Sequence, residues 1–333
     1  MQSSCLRVVA ENDTKTSDER LAEVASLYYY SGLRQADIAA QLGESRSNVS
    51  RLLTEARRRG IVEIRVNQPL PVDRRLGREL QQRYGLRDAL VLSGNEGDAG
   101  ETLRRVGELA ARFLERVLDE IDVLAISWGT ALREVVKGLH TPPRRSIEVV
   151  QMIGGAGSSA SNVDGTELAR RFADVLGGSC DYLYAPLLVD DEETVQVVMR
   201  DSNVRRVLEK AARADMALVG IGALEPSVSS LVRAGYADQE TLRRLRRAGA
   251  VGDICGRHFD ASGRPCDVEL NRRVVGLDLD SLHRIPVVMG IASGRAKAEA
   301  VLGALRGRHV DVLAADAGLV QEVLALDGEP AQL

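Results

Sequence analysis

The sequence predicts an α/β protein: an N-terminal winged helix-turn-helix followed by a doubly wound α/β domain. Three observations predict it. A helix, glycine turn and second helix with one apolar stripe fit residues 35–59. The break Asn67-Gln68-Pro69-Leu70-Pro71 separates that stretch from the remainder of the chain. Beyond the break, short apolar segments alternate with amphipathic ones, the texture of a mostly parallel sheet covered on both faces. The expected division is 1–66 for the helical domain, 67–73 for a linker and 74–333 for the large domain.

Residues 1–16 are polar and carry no regular pattern. A first helix is expected over 17–30, capped by Ser17, with Leu21, Val24, Ala25 and Tyr28 on one face. Tyr28, Tyr29 and Tyr30 can pack helix on helix or offer a hydroxyl to a phosphate, and packing is the commoner use. In the next stretch Ile38 and Leu42 share a helix face, and Ala39 beside them lets a second helix cross closely. Gly43 suits the left-handed turn where that helix stops. Ser45 is a good N-cap for the following helix, whose buried stripe is Val49, Leu52 and Leu53. Ala39, Gly43, Val49 and Leu52 stand at the offsets of a DNA-binding helix-turn-helix.

An ordinary helical hairpin would share this periodicity. The capping serine, the glycine turn and the basic, hydroxyl and amide mixture on one face favour the DNA-reading assignment. The candidate DNA contacts are Arg34, Gln35, Ser45, Arg46, Ser47, Asn48, Ser50, Arg51 and Arg57. The first residues of a recognition helix meet base edges, whereas Arg57, Arg58 and Arg59 are placed along phosphates. Ile61 to Val66 alternates and is β-branched, which suits a short strand and hence a wing.

Leu76, Leu80 and Tyr84 predict a helix closed by Gly85. It either caps the large domain or extends the linker toward another subunit. Strands are then expected at 89–92, 123–127, 147–153, 216–221, 286–291 and 310–314. Helices are expected near 101–119, 130–139, 165–176, 201–213, 238–248, 295–306 and 316–325.

Net charge is −4, so positive charge must be local if the chain binds nucleic acid. It is: Arg46, Arg51, Arg57, Arg58 and Arg59 stand against the single acid Glu55. Cys5, Cys180, Cys255 and Cys266 have no close pairing and form no metal-ligand pattern with the scattered histidines. They are expected to be reduced thiols of a cytoplasmic protein. No apolar run approaches a membrane span and no signal peptide opens the chain, so no membrane partner is expected. No metal or cofactor is expected either.

Ligands of doubly wound sheets bind where strands end. Four such ends are candidates. Ser127-Trp128-Gly129-Thr130 offers hydroxyls and free N–H groups at a helix start, suited to a phosphate. Gly154 and Gly155 open a glycine-rich turn, and Gly220-Ile221-Gly222 closes another strand. Gly294 and Lys297 begin a helix where the lysine can meet an anion. Each glycine has a turn explanation as well, and four together carry the ligand reading. A fifth candidate is the loop 251–260, where Gly252 precedes Asp253. That carboxylate either accepts two sugar hydroxyls or caps a turn. His258 is assigned a structural role.

These pieces together resemble the SorC family of bacterial sugar-responsive transcriptional regulators. The resemblance runs from Asp18 to Leu326. It is carried by LYYYSGLRQADIAAQLGESRSNVSRLLTEARRRGIVEI, then SWGTAL, QMIGG, APLLVDD, ADMALVGIGAL, GAVGDICGRHFD and GIASGRAKAEAVLGAL. It implies a large domain folded like ribose-phosphate isomerases and glucosamine-phosphate deaminases. It also implies a phosphorylated sugar as effector, and a tetramer built as a pair of dimers. Ser127, Gly129 and Thr130 match a family anion loop, Gly154 and Gly155 a second loop, Gly252 and Asp253 a sugar-hydroxyl loop, and Gly294 and Lys297 a phosphate-gripping end. Trp128 stands where many relatives have a smaller or charged residue.

The expected function is therefore a transcriptional regulator, not an enzyme. Its expected partners are double-stranded operator DNA, a sugar or sugar phosphate, and further copies of itself as a dimer or tetramer. The alternative is a sugar-phosphate isomerase or deaminase with an appended DNA-binding domain. That chemistry needs a base and an acid converging on one substrate, and Asp253 with Asp190 or Asp191 makes no obvious matched set. A nucleotide-binding protein lacks its G-x-G-x-x-G after the first strand.

Overall fold

Two compact units divide the chain, Met1–Pro69 and Leu70–Leu333. A computed structural model describes residues 17–62, 69–94, 97–140, 147–155 and 165–328. Among the described residues the first unit holds three helices, α1 (Ser17–Tyr29), α2 (Gln35–Leu42) and α3 (Arg46–Arg58). Leu21, Val24 and Ala25 of α1, Ile38 and Ala39 of α2, and Val49, Leu53 and Ala56 of α3 meet in one small core. Gly43 takes the left-handed conformation at φ 66° and donates its N–H to the Ala39 carbonyl, which ends α2. Ser45 caps α3 by accepting from the Asn48 N–H at 3.1 Å. Tyr28 packs against this core, as the commoner use predicts, while Tyr30 is 91% exposed. The wing strand expected at 61–66 falls largely outside the described residues. Ile61 and Val62 are described, and they pack against the helical core.

The second unit begins earlier than the expected linker end. Residues 70–73 lie along the sheet: Asp73 N–H donates to Val91 O at 2.8 Å, Ser93 N–H to Pro71 O at 2.9 Å, and Val72 bridges Leu92. The cause is an edge strand with unpaired backbone groups, to which an extended, proline-flanked segment is a natural partner. Asp73 then caps α4 (Arg74–Tyr84), accepting from Arg75 and Leu76 at 3.0 Å each.

In chain order there follow β1 (Asp88–Leu92), α5 (Ala99–Val117), β2 (Val123–Ile126), α6 (Thr130–Gly138), β3 (Glu148–Gln151), α7 (Gly165–Leu176), β4 (Ser179–Asp181), α8 (Glu192–Arg200) and α9 (Ser202–Ala211). Next come β5 (Met216–Gly220), β6 (Gly222–Ala223), α10 (Ser230–Arg233), α11 (Gln239–Arg247), β7 (Ala250–Ile254), β8 (Arg257–Asp260), α12 (Glu269–Arg272) and α13 (Leu279–Leu282). The chain closes with β9 (Val287–Ile291), α14 (Ala298–Arg306), β10 (Val312–Asp316) and α15 (Ala317–Gly328). A 3₁₀ turn, Arg295–Lys297, leads into α14.

The large sheet is parallel throughout, in the order β1-β10-β9-β5-β2-β3-β4. Alternate residues of its strands face opposite ways. Leu124, Ile126 and Val149 join one core with α5, α6 and α7, and Ala125, Val150 and Val219 join the other. A second sheet, β6-β7-β8, is antiparallel. It corrects one expectation: residues 251–260 are not a loop but the hairpin β7-β8, and Asp253 is a strand residue paired with Gly222 and His258. Cys255 (φ 53°) and Gly256 (φ 71°) make its turn, both with the positive φ that a two-residue hairpin turn of matching twist requires. No described helix is long and apolar enough to cross a membrane.

A histidine pair, one member of it buried, braces the far side of the hairpin. His309, 2% exposed, has Nε2 2.6 Å from the Gly263 carbonyl and Nδ1 3.0 Å from Nε2 of His283. The carbonyl can only accept, so His309 donates from Nε2 and its Nδ1 accepts from His283. Burial is the main cause that pushes its pKa below the ordinary value, opposed by the Gly263 bond. A depressed histidine favours folding above the unfolded-state value of 6.5, and that stability is lost as pH falls below it.

Urea titrations of the full chain are expected to show the larger unit losing stability from pH 7.5 to pH 5.5, with a shallower slope in His309→Asn. In the smaller unit, Ser45→Ala removes the α3 cap and is expected to cost about 1 kcal/mol. Faster amide exchange at Val49 and Leu53 would register it, and unchanged exchange would refute the capping role.

Candidate functional site

Two surfaces collect the residues singled out by the sequence. The first is the N-terminal face of α3. Its first turn holds no acid. Arg46, Ser47, Ser50, Arg51 and Arg57 are exposed, and Asn48 is half-buried. Asn48 donates from Nδ2 to Glu44 at 2.5 Å and accepts from Arg51 at 2.8 and 3.2 Å. Arg20 reaches the other oxygen of Glu44. Asn48 first, then Arg20, hold the Glu44 carboxyl below the usual range. Asn48 and Arg51 thus stand pre-oriented beside each other. The Ser45 hydroxyl is committed to the cap. Arg34 precedes α2 and, with Gln35, Tyr28 and Arg46, lines a shallow cleft.

The three consecutive arginines at the end of α3 are not equivalent. Arg58 and Arg59 converge on Glu55 at 2.6 and 2.7 Å, and Arg59 also pairs with Asp18 at 2.9 Å. Arg58 first and Arg59 second hold the Glu55 carboxyl down to about 2. Arg57 points to solvent from the same turn.

The second surface lies at the carboxyl ends of β2, β5 and β9. Strand order reverses between β2 and β5, the position where doubly wound sheets open a crevice. Ser127, Trp128, Gly129, Thr130, Gly220, Ile221, Gly222, Ser230, Asp253, Cys255 and Lys297 line a concavity there. Gly129 has φ 116° and no side chain caps α6, so the first-turn N–H groups of that helix face the concavity's lining without a side-chain partner. Lys297 donates to the Ile221 carbonyl at 2.7 Å. Burial is the main cause pushing its ammonium down to about 8, with the Asp253 carboxylate opposing and Arg233 adding to the depression. Asp253 accepts from the Gly256 N–H at 3.2 Å. Gly222 lies directly beneath it, and a Cβ there would displace the Asp253 carboxylate from this position. The concavity has a volume of about 20 Å³, room for about one water.

The other candidate glycines have packing roles. A Cβ on Gly154 would overlap the Pro186 carbonyl, and one on Gly252 would strike Ala300 of α14. Gly155 exchanges backbone hydrogen bonds with Ala185 and Leu187. None of the three lines the concavity. Gly294, at φ 94°, sits at the rim of the β9 loop and donates its N–H to Asp316 at 2.7 Å. Residues 156–164, the rest of the glycine-rich turn, lie outside the described residues.

The structure adds Ser230 and Cys255 to the lining. Both come from short elements with no periodicity to announce them. Burial first, then Asp253, pushes the Cys255 thiol up to about 12, so it is a neutral wall. Among the described residues Asp253 is the one carboxylate in the lining. Asp191 instead caps α8, accepting from Thr194 at 2.7 Å. Trp128, 6% exposed, joins the core below the cleft. No described cluster of His, Cys, Asp and Glu could hold a metal ion. A wider groove of about 950 Å³ runs between β4, α8 and α9 and contains none of the candidates.

Comparison with known proteins assigns both units. The Sugar-bind family model, a sugar-binding domain, matches residues 69–325, and the Sigma-70 region 4 model matches residues 18–59. The Deoxyribonucleoside regulator of Bacillus subtilis is 33% identical over 88% of this chain and 93% of its own. The transcriptional regulator LsrR of Klebsiella pneumoniae is 34% identical over 93% and 94%. Among solved structures, the full-length sorbitol operon regulator SorC of Klebsiella pneumoniae superposes with a TM-score of 0.69 at 29% identity, over 92% of this chain and 99% of that one. The family model spans most of the chain, the curated relatives match about nine-tenths of it, and the helix-turn-helix match precedes the sugar-binding match. The chain belongs to the SorC family of DNA-binding transcriptional regulators with a sugar-binding domain.

Proposed function

We propose that the concavity at the β2, β5 and β9 ends binds a phosphorylated sugar and that this binding changes the affinity of the α3 face for operator DNA. One observation carries the reading. The uncapped start of α6, the Lys297 ammonium and the Asp253 carboxylate converge at the switch point of the sheet. The helix end and ammonium suit a phosphate, and the carboxylate suits sugar hydroxyls. A sugar phosphate exceeds the present volume of about 20 Å³, so binding opens the site and draws Lys297 from the Ile221 carbonyl. The ligand acts through its different affinity for the closed and open arrangements. Gly294, whose N–H is held by Asp316, lets the chain turn toward Lys297, whereas Gly154, Gly155 and Gly252 shape the walls from behind.

On the DNA side, Arg46, Ser47, Asn48, Ser50 and Arg51 read bases, while Arg34, Gln35, Ser45 and Arg57 position the helix on the backbone. One such helix reads only a few base pairs, so a second copy of the chain occupies the other half-site. The functional division falls near Pro69, with the operator-reading part before it and the sensing part after it. The chain acts as a regulator and not as an isomerase or deaminase. Asp253 lacks a second carboxylate in the cleft among the described residues, which leaves proton shuttling between sugar carbons without a partner.

A thermal-shift screen of the full chain against phosphates of sugars and sugar alcohols, each beside its unphosphorylated form, tests the ligand class. A ligand at a hundred times its Kd stabilises by about 2.7 kcal/mol. Stabilisation by free sugars alone would refute the phosphate. Lys297→Ala is expected to weaken the hit at least tenfold and to leave operator affinity unchanged. Because the anion is held by the charged lysine, affinity is expected to fall as pH rises above about 8, and Lys297→Met to abolish that dependence. Arg46→Ala is expected to cost about 1–3 kcal/mol of operator affinity while sparing the sugar phosphate. Unaltered footprints would contradict the placement of the reading helix.

A further inference from the structure

The loop beside Lys297 leads into α14 and is bonded to α15, and these two helices end at one ionic cluster. Asp316, the last residue of β10 and 2% exposed, accepts from the Gly294 N–H at 2.7 Å with Oδ2. Its Oδ1 accepts from the Leu319 N–H at 3.0 Å, in the first turn of α15. Arg295 of the same loop pairs with Glu322 of α15 at 3.3 Å. α15 is therefore fastened to the loop twice, at its start through the buried Asp316 carboxylate and at its middle through Glu322. The other helix, α14, continues directly from Lys297.

Both helices run parallel and finish together. Arg306, the last residue of α14, holds Asp327 of α15 at 2.6 Å. The same carboxylate takes Arg83 of α4 at 2.6 Å. Tyr84 lies beside it, its phenol pushed up by burial first and by Asp327 second. Asp327 itself is held below the ordinary carboxylate range, with Arg306 and Tyr84 outweighing the effect of burial. The side chain of Asp327 is 15% exposed, so these pairs are shielded from solvent more than an ordinary surface bridge. α4 is the first helix of the larger unit, and the residues before it lead in the chain to α3.

We infer that α14 and α15 act as paired struts that carry the state of the ligand loop to α4, with Asp316 as the joint at the cleft and Asp327 as the joint at α4. This rests on the reading of the cleft as the effector site. A helix of twelve residues spans about 18 Å and does not shorten, so a displacement of Gly294 and Lys297 must be taken up at its far end. Close packing of Leu319, Val320 and Val323 leaves α15 no room to absorb it locally. Asp327 transmits the shift because its one carboxylate pairs with Arg306 at the end of α14 and with Arg83 of α4.

The test measures the coupling factor, the ratio of operator Kd with and without a saturating sugar phosphate taken from the screen. The factor in the unaltered chain is expected within about 5–150-fold. Asp327→Asn and Arg83→Gln, made in the full chain, are each expected to reduce it at least fivefold. Sugar-phosphate binding by calorimetry and operator binding without ligand should each stay within about threefold of the unaltered chain. The double variant should lose no more than either single one. Asp174→Asn breaks an exposed pair with Arg170 on α7 and is expected to leave the factor unchanged. An unchanged factor in both Asp327→Asn and Arg83→Gln would overturn the strut assignment. If Asp327→Asn melts early, Arg83→Gln decides alone, since its side chain is 38% exposed and its loss opens no cavity. If the unaltered chain shows no coupling to any sugar phosphate, the proposed function itself fails and the struts fall with it. The two failures are thus distinguishable.

Discussion

Parallel strands can be joined only by crossovers, so every strand of the large sheet delivers its carboxyl end to the same edge. At β2 the order turns around: β3 lies on one side and β5 on the other. The connections leaving β2 and β5 diverge and cannot cover the gap between them. Ser127 to Thr130 leaves one lip of that gap, and Gly220 to Gly222 leaves the other. The antiparallel sheet then reaches over the gap, because β6 follows Gly220 almost at once and pairs with β7. This brings Asp253 above Gly222. The β9 loop, one strand further along, brings Lys297. The site is thus a consequence of strand order more than of any local motif.

Much of this was legible in the residues. The spacing of Ile38, Val49 and Leu53 places the small core, and Gly43 and Ser45 mark its turn and cap, because each has one physical use there. Apolar runs such as Val123 to Ile126 reveal buried parallel strands, since both of their faces must be apolar. The hairpin β7-β8 was not legible. Glycine, aspartate and cysteine interrupt it, and Gly252 and His258 stand among its buried positions beside Ala250, Ile254 and Phe259, so no apolar alternation shows. α8 was equally silent because it buries none of its residues and so needs no stripe. For the site, Lys297 and Asp253 could be named from their surroundings. The separation of lining glycines from packing glycines could not. Gly252 and Gly222 look alike in sequence, yet one lies against Ala300 and the other under a carboxylate.

The same limit governs the basic face. Five arginines in one stretch suggest a broad field, but pairing redistributes it. Glu55 neutralises part of Arg58 and Arg59, and Asp18 takes more of Arg59. What remains projecting is concentrated at Arg46, Arg51 and Arg57. Arg51 is steered by Asn48, which is steered by Glu44. Such fixed side chains lose less freedom on meeting DNA than free ones do, which favours selection among sequences over mere adhesion.

The bond from Lys297 to the Ile221 carbonyl has a consequence for dosage. In the closed arrangement the lysine occupies itself, so an incoming anion competes with the protein's own backbone for one ammonium. A ligand whose competent state is rarely populated binds more weakly by that same fraction. On the proposed reading, the latch lowers the apparent affinity for the sugar phosphate and so moves the response to higher concentrations. On that reading, a substitution that weakens the carbonyl contact while keeping Lys297 shifts the dose–response curve to lower concentrations.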